Sequence, residues 1–327
     1  MKVKFSLALG IAVALAGVAP ANAEDQIRAI SAFTKQTGFT QSFLRFIDKA
    51  NAAGKGAFAI QFVGGPEAVP TFEQAKAVKN GIADMGYTPS SYHAGDVPET
   101  ESLVGGNVGP REARANGGLD LLNQIQQKKL NAYLLAWVDY GPRFNFYLRN
   151  QPKLGANGLP DFAGTKLRGA PPYRELMAAM NATFVNMAAP EVYTGLERGT
   201  VDGFAWPQVG VMDYGWDKFV KYKLMPTFFN LDIAINVNLD TWKKLSQASR
   251  DKLQAVGIAW EKESEEFWVK EAAKEQTELA KRGVQDFTLS PEAGKKYVKL
   301  ASDTVWERMK GRDPTNVGAL KPKFYKQ

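Results

Sequence analysis

The stretch FFNLDIAINVNLD, Phe228 to Asp240, reads as one long strand, and its place in the chain decides the fold. Up to about residue 143 the sequence alternates short apolar runs with amphipathic ones, and it does so again from about residue 154 to 225. A strand that comes after the second set is placed to carry the chain back to the first. Together with the outward passage near residue 143, it makes two crossings, and two crossings make a hinge between two units.

Working outward, IRAISAF (27–33) and FAIQFVGG (58–65) read as strands, and QSFLRFIDKANAA (41–53) and FEQAKAVKNG (72–81) as helices. IADMGYTPSSY enters a third strand and a loop, and LNAYLLAWVDYG (130–141) and FNFYLRN (144–150) are further strands. Gly, Asn and Pro between 154 and 160 introduce the second unit. There TKLRGA is followed by a helix at YRELMAAMN, a strand at ATFVNM, a helix at EVYTGLERG and a short strand at VDGFAWP. This alternation predicts an α/β fold with largely parallel strands. Beyond it, Leu253, Val256, Trp260, Phe267, Ala272 and Leu279 recur at helical spacing up to Gly283, a natural stop. A continuous helix over 247–282 measures roughly 50 Å at 1.5 Å per residue, enough to brace both units; the alternative is two helices meeting near Glu263.

The N-terminus adds the compartment. Lys2 and Lys4 precede an apolar run from Phe5 to Val18, and Ala21-Asn22-Ala23 supplies small residues for cleavage. This is the pattern of an export signal over residues 1–23. The run is shorter than the roughly 20 apolar residues that span a bilayer. The remaining chain, about 300 residues, suffices for about two domains with their own cores. The chain has no cysteine, so its stability cannot rest on disulfides. Its formal net charge of +7, two units of it in the signal, is a modest excess that steers anions weakly. Basic and acidic residues are interspersed, and nucleic acid is not an expected partner.

Catalytic equipment is sparse. His93 is the only histidine, in the loop SSYHAGD, where a solvated or locally hydrogen-bonded ring is expected. Without cysteine the common zinc sites are excluded, and the chain contains no G-x-S-x-G, P-loop or dinucleotide fingerprint. The composition favours binding over turnover. In open α/β sheets ligands sit beyond the carboxyl ends of strands. Arg168 ends the apolar segment TKLR, with Gly169, Pro171 and Pro172 turning the chain away behind it. A guanidinium there offers a planar fork to a carboxylate; read alone, a strand-end arginine is more often a surface residue or half of an internal ion pair.

Three segments in order, GGPEAVPTFEQAKAVKNGIADMGYTPSSYH, DFAGTKLRG and APEVYTGLERGTVDGFAWP, behind an export signal, resemble the substrate-binding proteins of tripartite ATP-independent periplasmic (TRAP) transporters, dicarboxylate type. The resemblance covers nearly the whole exported chain. It implies a two-lobed periplasmic binding protein of type II-like architecture, with a ligand cleft between lobes and a long helix bracing both. Lobe I is then 24–143 with 234–272, and lobe II 144–233 with 273–327. Such a protein captures a small organic acid in the periplasm and passes it, as a monomer, to TRAP permease subunits in the membrane. By this likeness Arg168 pairs with the ligand carboxylate, Arg143 is a second cationic contact, and Thr88, Ser90 and Tyr92 line the wall of the first lobe.

After VDG, many members read an acidic residue, Asn and Pro; here the run is Phe204-Ala205-Trp206-Pro207, so Trp206 is the candidate contact. An indole keeps one donor and adds an apolar face. In members that pair this Trp with a metal ion a Glu precedes it, and Ala205 stands there instead. No metal or other cofactor is expected, with Glu191 and Asp232 the acids left near the site and Glu191 counted among its contacts. Tyr87, Tyr92, Phe144, Trp206 and Phe229 suit a carboxylate with a flat or apolar body. Rival readings are the binding protein of an ATP-driven importer, which a neighbouring ATPase gene would mark, and an exported enzyme acting on a carboxylate, which product formation would reveal.

Overall fold

The computed structural model describes residues 24–326, and the export signal lies outside them. Among the described residues the chain builds two sheets, of five and seven strands, and a short two-stranded ribbon, Lys153–Leu154 with Pro160–Asp161. In the first sheet Phe58–Gly64, Asp25–Ser31 and Met85–Pro89 run parallel, and Ile233–Asn238 lies antiparallel between Met85–Pro89 and Ala132–Trp137. The second sheet is mixed. Arg143–Leu148 runs antiparallel to Gly203–Pro207, which continues in parallel to Lys166–Gly169 and Thr183–Asn186.

The expected long strand is two strands. Phe228–Asn230 pairs with Arg143–Leu148 in the second sheet, and Ile233–Asn238 pairs in the first. Leu231 and Asp232, which belong to neither, carry the chain across. The apolar run concealed this because both halves are buried, and only Asp232 interrupts it at the break.

The long helix is continuous over Gln247–Lys281. Ser246 caps it by accepting from the Ser249 N–H, and Gly283, at φ +91°, supplies the left-handed residue that ends it. Its buried residues, among them Leu253, Gly257, Trp260, Ser264 and Trp268, fall three or four apart and form one face. A side chain at Gly257 would start 3.2 Å from Leu135, so glycine lets the helix lie close on the first sheet. Glu261, on the same face, accepts from Arg114 and from the Trp137 N–H at 3.0 Å, which satisfies a carboxylate that burial would otherwise penalise. The helix then delivers Gln285–Thr288 to the edge of the second sheet.

Helix Gly118–Leu130 lies in a stretch for which the sequence pattern predicts no element, and it absorbs the first residue of a predicted strand. Asn131, at φ +48°, ends the helix before Ala132–Trp137 begins. The end of the chain departs from the expected division, in which all of 273–327 joins the second lobe. Val317–Phe324 lies on Ser102–Gly105 and Gly118–Leu130, because Leu320 and Phe324 complete the apolar cluster around Trp137 in the first lobe.

Candidate functional site

Arg168 occupies an interior strand of the second sheet, opposite Phe204 on one side and Val185 on the other, and is fully buried. Its fork is fixed by backbone oxygens. Nε donates to the Met187 carbonyl at 2.9 Å and Nη1 to the Ala205 carbonyl at 3.3 Å, while Nη2 is buried without a hydrogen bond of good geometry, the Tyr92 hydroxyl being the polar side chain beside the fork. The guanidinium carbon stands 5.1 Å from the Trp206 ring centre, in cation–π range. Glycine at 169 is a necessity, since a Cβ there would meet the Phe184 ring at 2.7 Å. The turn Pro171–Tyr173 then brings Tyr173 back toward the same place.

That place is a nearly filled pocket between the lobes, with about 10 Å³ of free space, roughly one water's worth. The first lobe contributes Phe33, Phe39, Pro89 and Tyr92; the second contributes Phe144, Tyr173, Trp206 and Pro207; Leu231 and Asp232 come from the crossover. Phe33 stacks on Phe39 at 4.7 Å, and Trp206 meets both edge-on at 6.3 Å, so one aromatic cluster joins the lobes. The Gly38 N–H, opening helix Gly38–Gly54, donates to Asp213 of the second lobe at 2.7 Å. These contacts hold the lobes together around the cavity.

Apolar walls set the electrostatics. Burial raises the phenol of Tyr92, opposed by the positive charge of Arg168 beside it, and burial pushes Asp232 up to about 6. In such surroundings a charge–charge contact is screened far less than in water.

Of the residues expected from the sequence, Trp206 and Tyr92 line the pocket, and Arg168 stands next to both, behind the lining rather than in it. Thr88 and Ser90 are buried beside the site but do not line it. The Ser90 N–H donates to the Asp232 carbonyl at 2.9 Å and the Ser90 carbonyl accepts from Thr100 at 2.8 Å, so this loop anchors the crossover. Arg143 leaves its strand on the face opposite Phe144, toward Tyr140, away from the lining. Glu191 is exposed and accepts from the Ala188 N–H at 3.0 Å, a local helix-start contact. Tyr87 turns into the first lobe, where its hydroxyl donates to Asp139. Among the described residues no group of three or more His, Cys, Asp or Glu is arranged to hold a metal ion.

Phe33, Phe39, Tyr173 and Leu231 escaped the sequence reading as lining residues. Phe33 lies just past the carboxyl end of Asp25–Ser31, and the strand-end rule that singled out Arg168 applies equally to it.

His93 corrects an expectation. It is buried, and neither ring nitrogen has a partner, because the short helix Ser90–His93 packs it inward. Burial depresses its pKa from 6.5 to about 4. Between those values the unfolded chain binds a proton that the folded one refuses, so stability is lost as pH falls through this window, by up to about 3 kcal/mol. Urea midpoints followed from pH 7 to 4 are expected to fall less steeply for His93→Gln than for the wild type. Equal slopes would dismiss the histidine as a source of acid sensitivity.

The profile of the bacterial extracellular solute-binding proteins, family 7 (DctP), matches residues 31–312. A solute-binding protein of Albidiferax ferrireducens is 23% identical over 288 residues, covering 84% of this chain and 82% of its own. A TRAP transporter solute binding protein from Bordetella bronchiseptica, whose crystal structure holds calcium and picolinate, superposes with a TM-score of 0.78 at 20% identity, covering 92% of this chain and 90% of its own. One from Desulfovibrio salexigens, with bound orotic acid, gives 0.80 at 15% identity, covering 91% and 97%. With a profile matching most of its length and a two-lobed fold shared with these structures, the chain belongs to family 7 of the bacterial extracellular solute-binding proteins and is an extracytoplasmic solute receptor of the TRAP type.

Proposed function

We propose that this receptor closes on a small organic acid whose carboxylate is taken by Arg168 and whose flat or apolar body lies among the rings of both lobes. It then delivers that acid unchanged, as a monomer, to TRAP permease subunits in the membrane. The observation that carries the reading is the state of the Arg168 fork: two nitrogens are fixed on carbonyls, and a third is buried without a hydrogen bond of good geometry, behind an aromatic pocket. A buried donor left unmatched costs free energy that an arriving carboxylate oxygen recovers. Phe33, Tyr173 and Trp206 offer faces to a ring or chain and few groups to satisfy sugar hydroxyls. Similar structures hold picolinate and orotic acid, and others hold malonate, galactonate or glucuronate, so they support an organic acid while the choice of a flat or apolar body rests on the rings alone.

The test is a thermal-shift panel of organic acids, neutral sugars and amines. A true ligand at 100 times its dissociation constant stabilises the folded state by about 2.7 kcal/mol, and such a shift is expected from ring or short-chain carboxylates. If only neutral solutes or amines raised the melting temperature, the assignment would be abandoned.

A further inference from the structure

Asp232 is only 2% exposed, sits at the point where the chain crosses between lobes, and lines the cavity together with Tyr92, Tyr173 and Trp206. The Ser91 N–H donates to its Oδ2 at 2.7 Å, and the Ser91 hydroxyl adds a second stabilising contact. Among the described residues no Lys, Arg or His stands in ion-pair contact with it; the phenols of Tyr92 and Tyr173 each feel both Asp232 and Arg168. An acid in the pocket wall and a guanidinium just behind Tyr92 and Trp206 therefore give the site two poles of opposite sign that are not spent on each other. Holding the crossover to the Ser90–Ser91 loop does not require a charge, because an asparagine oxygen would accept the same N–H without the desolvation cost of a carboxylate. The acid exceeds what the fold needs.

We propose that Asp232 is the second pole of recognition: the ligand is a carboxylate that also carries an N–H donor, so that its carboxylate meets Arg168 while its N–H meets Asp232. The inference rests on the assignment of Arg168 above and narrows it. A site with a buried acceptor discriminates strongly against an analogue lacking the donor, since the acceptor is then left unmatched. A second carboxylate at that end meets like charge and is rejected as well.

The test uses matched acids differing only at one atom: pyrrole-2-carboxylate against furan-2-carboxylate, pyroglutamate against 5-oxotetrahydrofuran-2-carboxylate, and proline against cyclopentanecarboxylate. They represent ring, lactam and ammonium donors in turn. By calorimetry on the wild-type protein, the N–H member of at least one pair is expected to bind ten-fold or more tightly than its partner. Asp232→Asn should reduce that preference to below three-fold, whereas Arg168→Lys should weaken both members alike. The wild-type comparison needs no variant to fold. Equal or reversed preference in every pair that binds, or binding confined to acids without N–H, would overturn the role of Asp232 and leave the carboxylate reading standing. Binding of no carboxylate at all, in these pairs or in the wider panel, would overturn both.

Discussion

Arg168→Ala is expected to bind the best acid of the panel about a thousandfold more weakly than the wild type, a loss of about 4 kcal/mol, in the range found when one partner of a buried hydrogen-bonded charge pair is truncated. The size comes from the surroundings of the fork. The guanidinium is fully buried, so the carboxylate it holds has left water and cannot recover its hydration when the arginine is gone. Arg168→Lys should lose less, because a point charge survives while the two-pronged geometry does not. The substitution also strips a donor from the carbonyls of Met187 and Ala205, so melting curves must first establish that the variant folds. Titration calorimetry then decides. Affinity within three-fold of the wild type would remove Arg168 from the site.

How far the sequence led can be seen at particular residues. Arg168 was legible as a guanidinium at a strand end before Gly169, but it was the likeness to TRAP binding proteins that singled out both it and Trp206 as ligand contacts. The long helix was legible because its apolar period runs unbroken to a glycine stop. Phe33, Phe39 and Asp232 were not read as lining residues, since their meeting with Trp206 exists only once two lobes face each other. Asp232 did leave a trace, an ionisable group inside an apolar run, and that trace marked both the strand break and a wall of the cavity. Arg143 misled for a related reason: the neighbouring position, Phe144, faces the cavity, and strand alternation sends Arg143 the other way.

The strap that ties the lobes from behind yields the largest effect on stability. Arg308, on helix Pro291–Arg312, is nearly buried and reaches both lobes at once. In the first it pairs with Glu101, Nη2 to Oε1 at 2.7 Å; in the second it meets Glu175 and donates to the Pro172 carbonyl at 3.0 Å. Burial raises the pKa of Glu101 and the charge of Arg308 opposes that rise, so removing the arginine strands a carboxylate that is 1% exposed. Arg308→Ala is therefore expected to cost about 3–5 kcal/mol, a large part of the total stability of an ordinary domain. Glu175→Ala should cost far less, because Glu175 is 38% exposed and water can replace the arginine. Pairing Arg308→Met with Glu101→Gln should recover most of the loss, since neither position then holds an unpaired charge. Urea unfolding of the four proteins measures all of this, and an Arg308→Ala midpoint equal to that of the wild type would show that the strap carries no load. Because Pro172 and Glu175 flank Tyr173 in the cavity wall, the same variant should also bind ligand more weakly at temperatures where it remains folded.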